Sequence, residues 1–167
     1  MSDLLEFNVD TPSQRGTEQL LQGIFCDPFF VALPYSWANN IVEEFEVVAV
    51  PKSALWLAGV ANIAGVIFPI VDLRLYFSPN LLPKPVHKQH RLLVGGLLVE
   101  TDDAIPLALL FEGLPKQVKA VRHSLPEQSG LPAALIHLCV GQVTDEHGQT
   151  FFELAPDLLT QTLLHAL

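Results

Sequence analysis

The chain has 167 residues, half of them hydrophobic and only 16% charged. That length suits one domain with a sizeable core, and the apolar excess must enter that core, a partner-binding surface or a membrane. A net charge of −9 argues against nucleic acid as a partner and offers anionic lipid no polybasic attraction.

Residues 1–18 are polar and irregular, with Pro12 and Gly16, and read as a flexible N-terminal tail ahead of a domain over 19–167. The opening MSDLLEFNVD lacks the basic start and apolar run of a secretory signal, so the expected location is the cytoplasm. QLLQGIFC (19–26) and FFVALP (29–34) predict two strands joined through Asp27-Pro28 into a hairpin. Residues 35–46 predict a short turn or helix before a strand VVAV at 47–50. The run 47–71 is long enough to cross a bilayer, which takes about 20 residues as a helix. Pro51, Lys52, Gly59, Asn62, Gly65 and Pro69 interrupt it, however, and fit short buried strands joined by turns, with no direct membrane insertion. The apolar pieces through Phe77 keep the rhythm of a compact β-barrel.

Residues 78–91, SPNLLPKPVHKQHR, hold three prolines and much of the local basic charge. They read as a linker dividing the strands into two clusters of similar size. RLLVGGLLVE predicts two strands around Gly95-Gly96, IPLALLFEGL another, and PKQVKAV an irregular or β segment. Residues 122–133 form a second Pro/Gly-rich connector, and 134–154 predict a hairpin turning at Asp145–Gly148. Leu158, Leu159, Leu163, Leu164 and Leu167 recur at helical spacing, with Pro156 and Asp157 suited to a first turn. The fold class is all-β with a C-terminal helix.

Chemistry-bearing patterns are sparse. Cys26 and Cys139 read as buried reduced thiols, not a disulfide framework. His87 and His90 have a spacing that holds metal on a helix, but Pro83 and Pro85 argue against helix, and no nearby carboxylate or thiol completes a site. A solvated loop pair is the expectation. His137 and Cys139 fall on one face of a predicted strand, where a buried, partnered histidine is favoured over a zinc pair. Nucleophile-elbow, dinucleotide, phosphate-loop and zinc-protease motifs are all missing from the sequence. No catalytic residue, metal or cofactor is assigned, and the chain does not read as an enzyme. The acidic pairs Glu43-Glu44 and Asp102-Asp103 sit in predicted turns. Asp72 and Arg74 alternate along a predicted strand, so that Asp72 either accepts backbone hydrogen bonds at the strand end or shapes a binding surface. Gly59 and Gly65 permit tight backbone geometry around a turn at Asn62, and Trp37 and Trp56 are expected to be largely core.

Gly59, Val60, Asn62, Gly65, Pro69, Asp72 and Leu73 fall on the pattern Gly-Val-x-Asn-Leu-Arg-Gly-x-x-x-Pro-x-x-Asp-Leu. That pattern resembles the signature of the CheW-like family, the adaptor domains of bacterial chemosensory arrays. Ala32-Leu33-Pro34 followed by 41–44, the lead-in at 50–60 and the closing hairpin at 134–154 are similar to the family as well. The resemblance implies two intertwined five-stranded SH3-like β-barrel subdomains with a hydrophobic seam between them. It implies a non-catalytic adaptor joining the regulatory domain of a CheA-type histidine kinase to the cytoplasmic tip of a chemoreceptor. Gly59, Gly65, Pro69 and Asp72 would be its structural motif, and Glu44, Asn62, Ile63 and Ala64 its partner contacts. Ala64 departs from the pattern, standing where the family commonly carries an arginine paired with the acidic residue of the 41–44 segment. Glu44 (or Glu43) is therefore expected to lack that partner, which points to a divergent adaptor of a type IV pilus or other non-flagellar system. Two other readings stay open: a regulatory or oligomerisation module without array function, and an enzyme with an unrecognised site at His87, His90, His137 or Cys139.

Overall fold

Alternating or continuous apolar runs bounded by Gly, Pro and Asn become strands wherever both strand faces can be covered. In the computed structural model the described residues are 19–38, 40–96, 106–119, 121–123 and 130–167. The expected tail at 1–18, the strand after Gly96, Asp102-Asp103 and half of the 122–133 connector, residues 124–129, lie outside them. Ten strands are described: β1 (Leu20–Cys26), β2 (Phe29–Pro34), β3 (Asn40–Val42), β4 (Leu57–Ile63), β5 (Val66–Val71), β6 (His90–Gly95), β7 (Leu107–Lys119), β8 (Val121–His123), β9 (Cys139–Thr144) and β10 (Thr150–Leu154). Three helices join them: α1 (Leu73–Phe77), α2 (Ala133–Leu138) and α3 (Pro156–His165).

The ladder runs β3-β6-β7-β1-β2-β10-β9-β8, with β5 pairing both β4 and β7. Strand β7 is the shared member. Its first half, through Glu112, pairs with β6, and its second half pairs with β1. Glu112 is the crossing point, opposite His90 on one side and Phe25 on the other. Gly113 follows at φ 84, and the β1 register shifts there between Gly23 and Phe25. Such a bulge bends a strand from one sheet curvature into the next. Two groups result, one of β3–β6 with the start of β7, the other of β1, β2, β8–β10 with its end. Strands from before and after the 78–91 linker therefore interleave in each group. Among the described residues the sheet does not close into continuous barrels.

Three apolar clusters match this division. Ala61, Phe68, Ile70, Leu92, Val94, Ala108 and Leu110 fill the first group. Leu21, Ala32, Val118, Val143 and Phe151 fill the second. The largest cluster lies between them, where Leu33, Val71, Leu93, Leu109 and Phe111 meet Leu73 and Phe77 of α1, Leu135 and Leu138 of α2, and Leu159 and Leu163 of α3. Each such buried side chain contributes about 1.5–3 kcal/mol, so this seam is the main store of apolar stabilisation. Trp37 and Trp56 are half-buried against it.

Several local expectations are corrected. The predicted strand at 47–50 is reduced to one bridge, Val48 to Val60, before a turn at Pro51-Lys52. Of the two alternatives for 35–46 the turn is the one found, followed by the short β3, with no helix among the described residues of that segment. Residues 47–71 are this bridge, β4, a turn and β5; among the described residues no helix is long and apolar enough to cross a membrane. Asp72 and Arg74 are not on a strand: Asp72 caps α1, its Oδ1 accepting from the Arg74 N–H at 3.0 Å. A side-chain acceptor at that position captures an orphan N–H and starts a helix. His137 and Cys139 do not share a strand face either, because residues 133–138 form α2 after Pro132 and leave His137 exposed. The Ala-Ala-Leu start favours helix once a proline fixes the entry.

Candidate partner-binding site

The β4–β5 hairpin carries most of the motif. Ile63 pairs with Val66, leaving Ala64-Gly65 as a two-residue turn. Both have positive φ, 51° at Ala64 and 85° at Gly65, as a type I′ turn requires to match the twist of its strands. Asn62 Oδ1 accepts from the Gly65 N–H at 2.9 Å and closes the turn. Glycine enters the left-handed region freely, but alanine meets its own Cβ there at a cost of about 1 kcal/mol. Ala64 is therefore a strained residue at an exposed tip.

The other motif residues serve this hairpin. At Gly59, φ is 148°, and a Cβ would collide with the Val48 carbonyl. Val60 exchanges both backbone bonds with Val48, at 2.8 and 2.9 Å, so its pairing with Pro69 on β5 is of the non-hydrogen-bonded kind. That is where a residue without an N–H costs least. Asp72 bonds the Trp56 carbonyl through its N–H at 2.8 Å and pairs its carboxylate with the Arg74 guanidinium at 3.4 Å. Arg74 continues to the Leu82 carbonyl at 3.2 Å. The Asp72 side chain is thus spent on scaffold.

Around the tip the surface is apolar. Val66 and Ile67 are exposed on β5, Ile67 by 57%, and Ile63 is half-buried. Val48, Val50 and Leu55 are exposed on the segment that bridges to β4. A separate groove of about 610 Å³, with no tip residue in its lining, is bordered by Phe45, Val47, Ala49 and Leu55 and by Pro83, Lys84, Pro85 and Val86. Glu44 is exposed. Glu43 does not lack a partner: Arg91 Nε donates to its Oε1 at 3.0 Å and Arg91 also reaches the Gly113 carbonyl. The β3–β6 register, Val42 opposite Leu92, sets Glu43 beside Arg91, a pairing invisible in local sequence.

A second cluster corrects the histidine expectation. His90 is buried, and the carboxylate that the sequence neighbourhood did not offer comes from β7. Glu112 Oε1 lies 3.1 Å from His90 Nε2 and 3.4 Å from His87 Nε2. On the other side, His90 Nδ1 accepts from the His87 backbone N–H at 3.0 Å, and His87 Nδ1 from the Gln89 N–H at 3.2 Å. A neutral imidazole has one donor and one acceptor, so these contacts assign the proton of both rings to Nε2. The three ligand atoms lie within 4.8 Å of one another. Metal ligation by Nε2 would, however, move each proton to Nδ1, where it would face a backbone N–H. The arrangement suits hydrogen bonding better than a cation. Burial holds His90 below the ordinary imidazole range, with His87 pushing the same way and Glu112 and Asp72 opposing. Cys26 is buried and Cys139 half-buried, both free, and burial pushes both thiols upward. Cys139 Sγ contacts the Gly141 carbonyl. Thiols held protonated in this way are poor nucleophiles.

Known proteins agree with this architecture. Scaffolding protein TtCheW from Thermoanaerobacter tengcongensis superposes with a TM-score of 0.63, covering 83% of this chain and 89% of its own, at 12% identity. Protein PilI of Pseudomonas aeruginosa is 34% identical over 99 residues, 53% of this chain and 54% of PilI, so the chain spans about half the length of that relative. The CheW-like domain model matches residues 30–163. With that match covering most of its length, the chain belongs to the CheW-like domain family.

Proposed function

We propose that this protein is a non-catalytic adaptor that couples chemoreceptors to a CheA-type histidine kinase, in a type IV pilus or other non-flagellar chemosensory system. Members of its family are non-catalytic scaffold proteins. The observation that carries the reading is the β4–β5 hairpin: a turn strained at Ala64, entered through Asn62 and Ile63 and flanked by exposed Val66 and Ile67. Strain and exposed apolar side chains are both costly, and both are retained where a surface binds. The likeness to PilI supports the non-flagellar assignment. Ala64 in place of arginine leaves the tip uncharged, which suits an apolar contact.

The test is calorimetry against the regulatory domain of the CheA-type kinase and against the receptor tip from the same source. Saturable binding to both is expected. Replacing exposed Ile67 with glutamate should weaken one of them by about tenfold or more, as for a central apolar anchor, without changing the fold. Ala64→Arg should alter affinity for the receptor tip. Failure to bind either partner, from folded protein that self-associates, would favour the regulatory or oligomerisation module instead.

A further inference from the structure

The loop between α1 and β6, residues 78–89, has no regular structure and is held to the body at three places. Arg74 bonds the Leu82 carbonyl, Lys84 stands 4.0 Å from Asp27 across an exposed gap, and the histidine cluster fastens the end of the loop to Glu112. The arginine contact is a single bond to a backbone carbonyl, and an exposed pair such as Lys84–Asp27 contributes little. The histidine fastening is different in kind. Its bonds require both Nδ1 atoms unprotonated, since each accepts a backbone N–H. A proton added at Nδ1 faces that N–H head-on and destroys the bond. The two rings also lie 4.1 Å apart, so a second positive charge meets the first.

We propose that His87, His90 and Glu112 form an acid-sensitive latch. While the histidines are neutral it holds the 78–89 loop against β7 and fixes the Pro83–Val86 wall of the groove; on protonation it lets that wall go. The charged groups facing His90 come from four directions. Glu112 on β7 and Asp72 at the cap of α1 favour the imidazolium and His87 on the loop opposes it, while Arg74 on α1, Lys84 on the loop, and Asp27 and the Cys26 thiol at the β1–β2 turn border the same cavity. Burial tips the balance toward the neutral ring. The released loop takes up protons at the ordinary imidazole value of about 6.5, above the latched His90. Latch stability is therefore complete above that value and declines as pH falls through it. The inference does not depend on the adaptor reading.

Two measurements on the full chain test it. Long-range nitrogen-proton NMR should find both rings as the Nε2–H tautomer near neutral pH. Amide exchange of His87 and Gln89, corrected for intrinsic pH dependence, should lose protection by up to about tenfold per histidine between roughly pH 7.5 and 5.5, the effect of acidifying one pH unit below the released imidazole value, while Leu92 and Leu109 stay protected. His87→Gln removes the neighbouring charge, brings the latched His90 nearer the released value and should shrink the loss of protection on acidification. Glu112→Gln keeps an acceptor but removes the favourable charge, drives the latched His90 further below the released value and should enlarge that loss. Protection independent of pH, an Nδ1–H ring, or a change of the same sign in the acid-driven loss of the two variants would overturn the latch. So would zinc-dependent protection near neutral pH, because it needs the Nε2 lone pairs free.

Discussion

Two hairpin tips in this molecule are built from the same device and differ in what they leave over. At 145–149, Asp145 Oδ1 accepts from the N–H groups of His147 at 2.9 Å and Gln149 at 2.7 Å, and the positive-φ position is Gly148. Its neighbours Glu146 and His147 are polar and exposed. At 62–66, Asn62 accepts one such bond, alanine occupies a positive-φ position, and the flanking Val66 and Ile67 are exposed. The first tip satisfies its backbone and stops there. The second carries strain and unburied apolar surface that folding alone would remove. The contrast sets a turn that Asp145 closes through two backbone donors beside one that keeps a strained residue and exposed apolar side chains.

The largest effect should come from the strand that supports the strained tip. Gly59→Ala drives a Cβ into the Val48 carbonyl at a φ alanine resists, and should cost about 3 kcal/mol or more in denaturant unfolding. Asp145→Ala releases two backbone donors at the satisfied tip, with an expected loss of about 1–2 kcal/mol; a loss no larger than for Asn62→Ala would contradict the ranking of the two turns. A reciprocal exchange follows. Ala64→Gly should stabilise by about 1 kcal/mol while Gly148→Ala destabilises by a similar amount, readable as opposite shifts in thermal midpoint. If Ala64→Gly brings no gain, the left-handed turn is not strained. Asn62→Ala should be mildest, at about 0.5 kcal/mol for one exposed bond.

The hairpin was legible because its determinants are local. Asn62, Gly65 and Pro69 each act within a few residues, and the Asp27-Pro28 and Asp145–Gly148 turns read equally well. The C-terminal helix followed from its leucine spacing, with Leu159 and Leu163 now in the seam. Helix α1 was missed because five residues give too short a period to distinguish from a strand, and its start depends on Asp72 turning back to Arg74. Helix α2 was missed because a short apolar run before β9 reads alike in either state. The His87–His90 site was missed for a deeper reason: its third member comes from a strand more than twenty residues on, and only the β6–β7 register sets Glu112 opposite His90. The same holds for Arg91 beside Glu43.

By itself the sequence determined what short-range chemistry controls: strand and turn positions in the motif, the terminal helix, the acidic apolar character and the family. Tertiary structure decided what depends on which strands become neighbours. Strand β7 crosses between two strand groups, the seam between them holds the largest core, and Glu112 at the crossing converts a loop histidine pair into a fastening. Pairing partners distant in the chain are selected by the summed burial of whole faces, and no single segment carries that sum.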